Sequence, residues 1–199
     1  MSEAVFFFGG YLASQSDIDA WVRSARLQKP NVKFKGFPWP DGARSDAHSA
    51  VKGFSKGGKL DAAIDEIEKT AVDTIYIVGH SSGCAIANAV DAGVDSDDQV
   101  VLVALDGFKP SDSQLAREDT QVWGAECQGQ RSRNYPGPAK GRRHIYTAIN
   151  CKSEWPLHFS LVNTNANDTN LALVGGDITK GYFNCRANLL FLGRSMELR

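Results

Sequence analysis

The segment Gly79-His80-Ser81-Ser82-Gly83 sets a hydroxyl between two glycines, each two residues away. The apolar run Thr74-Ile75-Tyr76-Ile77-Val78 leads directly into it, and a stretch of small residues from Ala85 to Val90 follows. A buried strand, a G-x-S-x-G turn and a helix together form the arrangement that exposes a serine above a sheet. Such a turn is strained and crowded, so the positions two residues to either side must be small. The helix behind it offers backbone N–H groups to a developing oxyanion. The competing reading is a chance glycine turn, and the flanking strand and helix weigh against it.

A serine hydroxyl becomes a nucleophile when a base takes its proton. Four histidines are available. His80 lies inside the turn and points elsewhere when Ser81 faces the site. His48 lies in a polar segment well upstream. His144 begins a strand and belongs at the opposite edge of the sheet. His158 follows that strand in the loop Cys151-Lys152-Ser153-Glu154-Trp155-Pro156-Leu157-His158, at the edge where such sites assemble. Elimination leaves His158 as the base, against the plainer reading of a surface-loop histidine. The base in turn needs a carboxylate to hold its tautomer and stabilise the imidazolium. Asp106 closes the run Val100-Val101-Leu102-Val103-Ala104-Leu105, where an ionised group is costly without a partner. A simple Asp-Gly turn is its alternative, and Glu154 is the second candidate acid. Asp168 and Asp177 follow the histidine in the chain.

The order Ser81, Asp106, His158 is that of triad members in the α/β-hydrolase family, and the chain resembles that family over nearly its whole length. It begins at the strand that carries the family's glycine loop, without the usual first two strands. It is therefore similar to the minimal members, the small lipases, cutinases and thioesterase-like esterases. The acid stands one strand earlier than in most members. The resemblance implies an oxyanion hole built from backbone N–H groups. Ser82 supplies one, and the loop Phe8-Gly9-Gly10-Tyr11 supplies the other, from Tyr11 first and Gly10 second; Phe8 stands where many members carry histidine.

Several elements must position these groups. Val5 to Phe8 reads as a strand buried on both faces. Ser16 is expected to cap a helix whose apolar stripe is Ile18, Trp21, Val22 and Ala25. Val32 to Phe37 forms a second strand, ended by Pro38-Trp39-Pro40-Asp41-Gly42, and Leu60, Ala63, Ile64 and Ile67 repeat the helical spacing. Strands follow at Thr74–Val78, Val100–Leu105 and Ile145–Ile149, and a closing helix at about 183–192. Strands separated by helices imply βαβ units. The fold class expected is α/β, a three-layer sandwich with a mostly parallel central sheet flanked by helices. All of 1–199 is read as one such domain. Residues 107–141 carry no convincing strand and are expected to form a lid or flap. From Gln128 to Arg143 the segment has no acid, so its arginines are expected either to attract an anionic substrate group or only to keep a loop soluble. Trp39, Trp123 and Trp155 fall in expected loops and are candidates to line an apolar pocket.

Composition narrows the function further. The 199 residues carry 22 Lys+Arg against 23 Asp+Glu, a net charge of −1, which argues against a general nucleic-acid binder. No apolar run reaches the ~20 residues of a membrane span. The apolar opening follows Glu3 and lacks a basic leader, so it reads as a strand rather than a signal peptide, and the expected location is cytoplasmic. The four cysteines are far apart, with no metal-binding spacing, and reduced thiols are expected. The reading is an esterase or thioesterase acting on a small-molecule ester or thioester through an acyl-enzyme on Ser81, needing no cofactor or metal. Two alternatives share the same residues: an acyltransferase, and a non-catalytic domain that binds a ligand or partner.

Overall fold

In a computed structural model the described residues are 2–95, 99–105 and 107, together with the backbone of strands 120–123 and 143–147. Six strands form one sheet: β1 (Glu3–Phe8), β2 (Lys33–Phe37), β3 (Thr74–His80), β4 (Gln99–Leu105), β5 (Thr120–Trp123) and β6 (Arg143–Thr147). Their order is β2-β1-β3-β4-β6-β5, and every pairing is parallel. Among the described residues four α-helices accompany them: α1 (Gln15–Gln28), α2 (Ala47–Ser55), α3 (Lys59–Glu68) and α4 (Gly83–Gly93). Among the described residues no helix is long and apolar enough to cross a membrane.

The period-two alternation of strand side chains divides the core into two layers. Val5, Phe7, Tyr76, Val78, Val101 and Val103 face α1, whose Ile18, Trp21, Val22 and Ala25 pack on them. Trp21 stacks on Phe7 with ring centroids 4.2 Å apart. Ala4, Phe6, Phe8, Ile75, Ile77 and Leu102 face the other way, onto Phe54 of α2, Ile67 of α3 and Val90 of α4. This is the expected three-layer α/β sandwich. The strands are apolar on both faces because helices cover both.

Several expectations change in detail. The N-cap of α1 is Ser14, not Ser16. Asp17 stands three residues after Ser14, so the two side chains close a capping box: Asp17 N–H donates to Ser14 Oγ, and Ser14 N–H to the Asp17 carboxylate at 2.8 Å. Asp19 stands three residues after Ser16 in the same way, but its carboxylate accepts from Gln15 Nε2 at 2.8 Å instead. The Ser14 side chain, then its backbone N–H, holds the Asp17 carboxyl below the usual carboxylate range. Ser14→Ala is expected to cost about 1 kcal/mol in thermal denaturation at pH 7. The carboxylate's share is present above the ordinary Asp value and lost as pH falls through the lowered one, so the difference between variants should shrink in acid.

Helix α2, in the segment read as polar, buries only Ala50 and Phe54, too short a stripe to stand out. Gly57 and Gly58, at φ of +67° and +74°, separate it from α3. The segment 107–141, read as lacking a strand, contributes β5 at Thr120–Trp123, so Trp123 closes a strand rather than standing in a loop. The strand expected at 145–149 begins two residues earlier, at Arg143. The closing helix expected near 183–192 lies outside the described residues.

Candidate active site

From β1 the chain crosses on one face to β2, then crosses on the other face to β3, on the opposite side of β1. The order therefore reverses between β1 and β3, and helices on opposite faces leave a crevice beyond the carboxyl ends of those two strands. Open α/β sheets hold their ligands at such a point. Here the crevice lies between Gly9-Gly10 after β1 and Ser81 after β3.

Ser81 has φ of +53°, in the left-handed region that costs a non-glycine residue roughly 1–2 kcal/mol. Tertiary contacts hold it there. Its N–H donates to the carbonyl of Leu105 at the end of β4 (3.0 Å), and its carbonyl accepts from Cys84 N–H (3.1 Å). Ser82 is buried, and its Oγ donates to the carbonyl of Ser45 at 2.7 Å. Ser82 is the N-cap of α4 but makes no side-chain capping bond. Cys84 is buried, and its thiol donates to the carbonyl of Gly79 at 3.1 Å.

The two glycines of the turn are required by contact. A Cβ at Gly79 would lie 2.5 Å from Cys84 Cα, and one at Gly83 would be driven into the carbonyl oxygens of Phe8 and Gly9. The second clash is with backbone of another strand, which cannot swing aside. Gly83→Ala is therefore expected to destabilise by several kcal/mol, within the upper tail for single substitutions. Urea unfolding measures it, and a loss under 1 kcal/mol would contradict this packing. The glycine loop presses equally close: a Cβ at Gly10 would sit 2.9 Å from Ser81 Cβ and 3.0 Å from His80 Nδ1. Its backbone thus borders the serine, and Gly9 N–H anchors it to the carbonyl of Phe37 at 3.0 Å.

Of the expected site residues, the structure brings Ser81, Ser82 and Gly10 together, with Tyr11 next to Gly10 in the chain. Asp106, Glu154, Trp155 and His158 lie outside the described residues. Their framework is partly described. Gly107 packs so tightly on Cys84 that a Cβ there would lie 2.5 Å from its sulfur, and Leu105 is the partner of Ser81. In register, His80, Leu105, Thr147 and Trp123 stand at one level, so β6 ends at the same edge as Ser81. His144 pairs with Leu102, three residues lower, or about 10 Å along the strand, as its exclusion requires. Arg143, counted among the anion-attracting arginines, is lower still, paired with Val101. Sequence reasoning passed over Ser45, whose carbonyl braces the turn; no local pattern marks it. His48, set aside as remote, is three residues beyond Ser45 on exposed α2 surface.

These features define an α/β-hydrolase-like fold with a serine at its strained strand-to-helix turn. No protein-family model matches the sequence, and no curated protein matches it by sequence. Solved structures do match. The catalytic core domain of acetyl xylan esterase from Trichoderma reesei aligns at a TM-score of 0.52 and 11% identity, over 81% of this chain and 91% of that one. Another acetylxylan esterase structure aligns at 0.48 and 12%, over 81% and 90%. A predicted CIB-like hydrolase from Thermoplasma acidophilum gives 0.40 and 18%, over 79% and 82%. At 11% identity the property shared with the first of these is the fold.

Proposed function

We propose that this protein is a serine hydrolase that cleaves a carboxylic ester or thioester through an acyl-enzyme on Ser81. The observation that carries the reading is the left-handed Ser81 at the switch point, with the Gly10 backbone in contact beside it. A strained non-glycine residue persists only where surroundings hold it, and such residues cluster at functional sites. His158 takes the Ser81 proton as the hydroxyl attacks the carbonyl, then returns it to the leaving group. Asp106 holds the imidazole in the correct tautomer. The N–H of Ser82 at the start of α4 and that of Tyr11, with Gly10 second, receive the negative charge on the former carbonyl oxygen. Water then attacks the acyl group with His158 as base, and the serine is released. The acetyl xylan esterase that shares the fold makes ester hydrolysis the first activity to assay.

A fluorophosphonate probe tests the proposal, because only an activated serine labels. Labelling confined to Ser81 supports an enzyme. An unlabelled, folded protein points instead to a ligand-binding domain on the same scaffold.

A further inference from the structure

Beside the glycine loop a groove of about 870 Å³ opens between the β1–α1 and β2–α2 connections. Phe37, Phe54 and Ala63 lie among its walls, and Tyr11, Leu12 and Trp39 line it at the loop ends. The aromatic walls pack against one another. Phe37 and Phe54 meet edge-to-face at 5.9 Å, and Tyr11 meets Trp39 the same way at 5.7 Å. Trp39 is fixed further by its indole N–H, which donates to the carbonyl of Ala43 at 3.2 Å. Leu12 is the anomaly. It is 71% exposed, yet it holds a left-handed backbone at φ +66°. Ser81 and Leu12 are the two non-glycine residues with positive φ among those described, and both stand at the same sheet edge. An exposed leucine gains nothing from folding by adopting that strain.

We propose that this groove receives the apolar hydrocarbon or aryl group of the ester, with Leu12 and Trp39 selecting for its length. The proposal rests on the serine-hydrolase reading above. Three observations support it. Leu12 is two residues, about 7 Å of chain at most, from Gly10, whose backbone borders Ser81. Its volume lies in the range of roughly 300–1,000 Å³ that holds a drug-sized ligand, far beyond the needs of an acetyl group. Its charged lining residues are two of each sign, Arg44 and Lys59 against Asp41 and Glu66. Such a lining suits a neutral apolar group better than an anion.

The hydrocarbon sits on either the acyl or the alcohol side of the ester, and two substrate series distinguish them. One is p-nitrophenyl esters of two to ten acyl carbons, and the other is acetate esters of alcohols of the same lengths. The expected result is that kcat/KM rises about fourfold per methylene over several carbons in one series. Leu12→Gly removes the side chain and relaxes the backbone together, so it should fold at least as well as wild type. It should reduce the eight-to-two-carbon preference at least tenfold, and Trp39→Ala should reduce it further. A flat profile in both series, or a preference unaltered by Leu12→Gly, overturns the groove assignment. Equilibrium binding to Ser81→Ala, read by quenching of tryptophan fluorescence with the p-nitrophenyl esters, separates this failure from that of the parent reading. Tighter binding of octanoate than acetate there supports the groove whether or not Ser81 is the nucleophile. Equal binding of the two together with no dependence on alcohol length in the acetate series, alongside a probe-labelled Ser81 in the wild type, removes the groove and keeps the hydrolase.

Discussion

Ser81→Ala is expected to lower kcat on the order of 10⁶-fold, the loss that follows removal of a triad nucleophile, while the protein keeps its fold. The structural half of this expectation follows from where Ser81 is held. Its hydrogen bonds to Leu105 and Cys84 are made by backbone atoms, which alanine retains. Alanine meets the same left-handed penalty as serine, so the melting temperature should barely move. Ser81→Gly extends the test. Glycine adopts φ of +53° without steric cost, so this variant should be as inactive as Ser81→Ala yet more stable by roughly 1 kcal/mol. A residue that lowers stability where it stands, and is indispensable to turnover, is one retained for chemistry. Hydrolysis by Ser81→Ala above a tenth of the wild-type rate would remove the serine mechanism altogether.

The second large effect is expected at the base and its acid. His158→Ala should approach the loss seen for Ser81→Ala, because the hydroxyl then has no acceptor for its proton. Asp106→Asn should cost less, about 10⁴-fold, since the carboxylate orients and stabilises without itself taking the proton. The wild-type rate should rise with pH as the base becomes neutral, and the His158→Ala variant should lose that rise. Two competing results would redraw the site in definite ways. If Glu154→Gln is the more damaging acid change, Asp106 is merely a turn residue and the triad must be redrawn. If His48→Ala is the more damaging base change, the proton is taken from the α2 side, where Ser45 already touches Ser82. Measuring kcat and KM for all four variants beside Ser81→Ala decides among them.

Much of this arrangement is local and therefore legible in the chain. The G-x-S-x-G turn occupies five residues between a run of apolar strand formers and a run of small helix formers, and the clashes that demand Gly79 are with neighbours only a few residues on. The stripe of Ile18, Trp21, Val22 and Ala25, the doubly buried β1 and β3, and the α/β class follow from periodicity that the residues carry themselves. The cap of α1 was not decided by the sequence, because Ser14 with Asp17 and Ser16 with Asp19 offer the same spacing and the fold uses the first.

Other features depend on contacts that no local pattern encodes. β5 is four residues long, paired among the described residues with β6 alone, and set in a polar segment, so its hydrophobic signal is too brief to register. That β6 inserts between β4 and β5 is a matter of which strand meets which across the sheet. The clash that demands Gly83 is with the carbonyls of β1 and its loop, more than 70 residues earlier. The groove arises because parallel pairing sets Phe8 beside Phe37, which brings the loop after β1 against the loop after β2. Leucine at position 12 gives no hint of a left-handed backbone, and Ser45 gives none of bracing Ser82. The sequence by itself determined the serine, its turn and the class of sheet that presents it, because those rest on short-range sterics and side-chain period. The tertiary structure alone decided where the sheet reverses, what crowds the serine and what kind of space opens beside it, because those depend on backbone segments that meet only after the chain has folded.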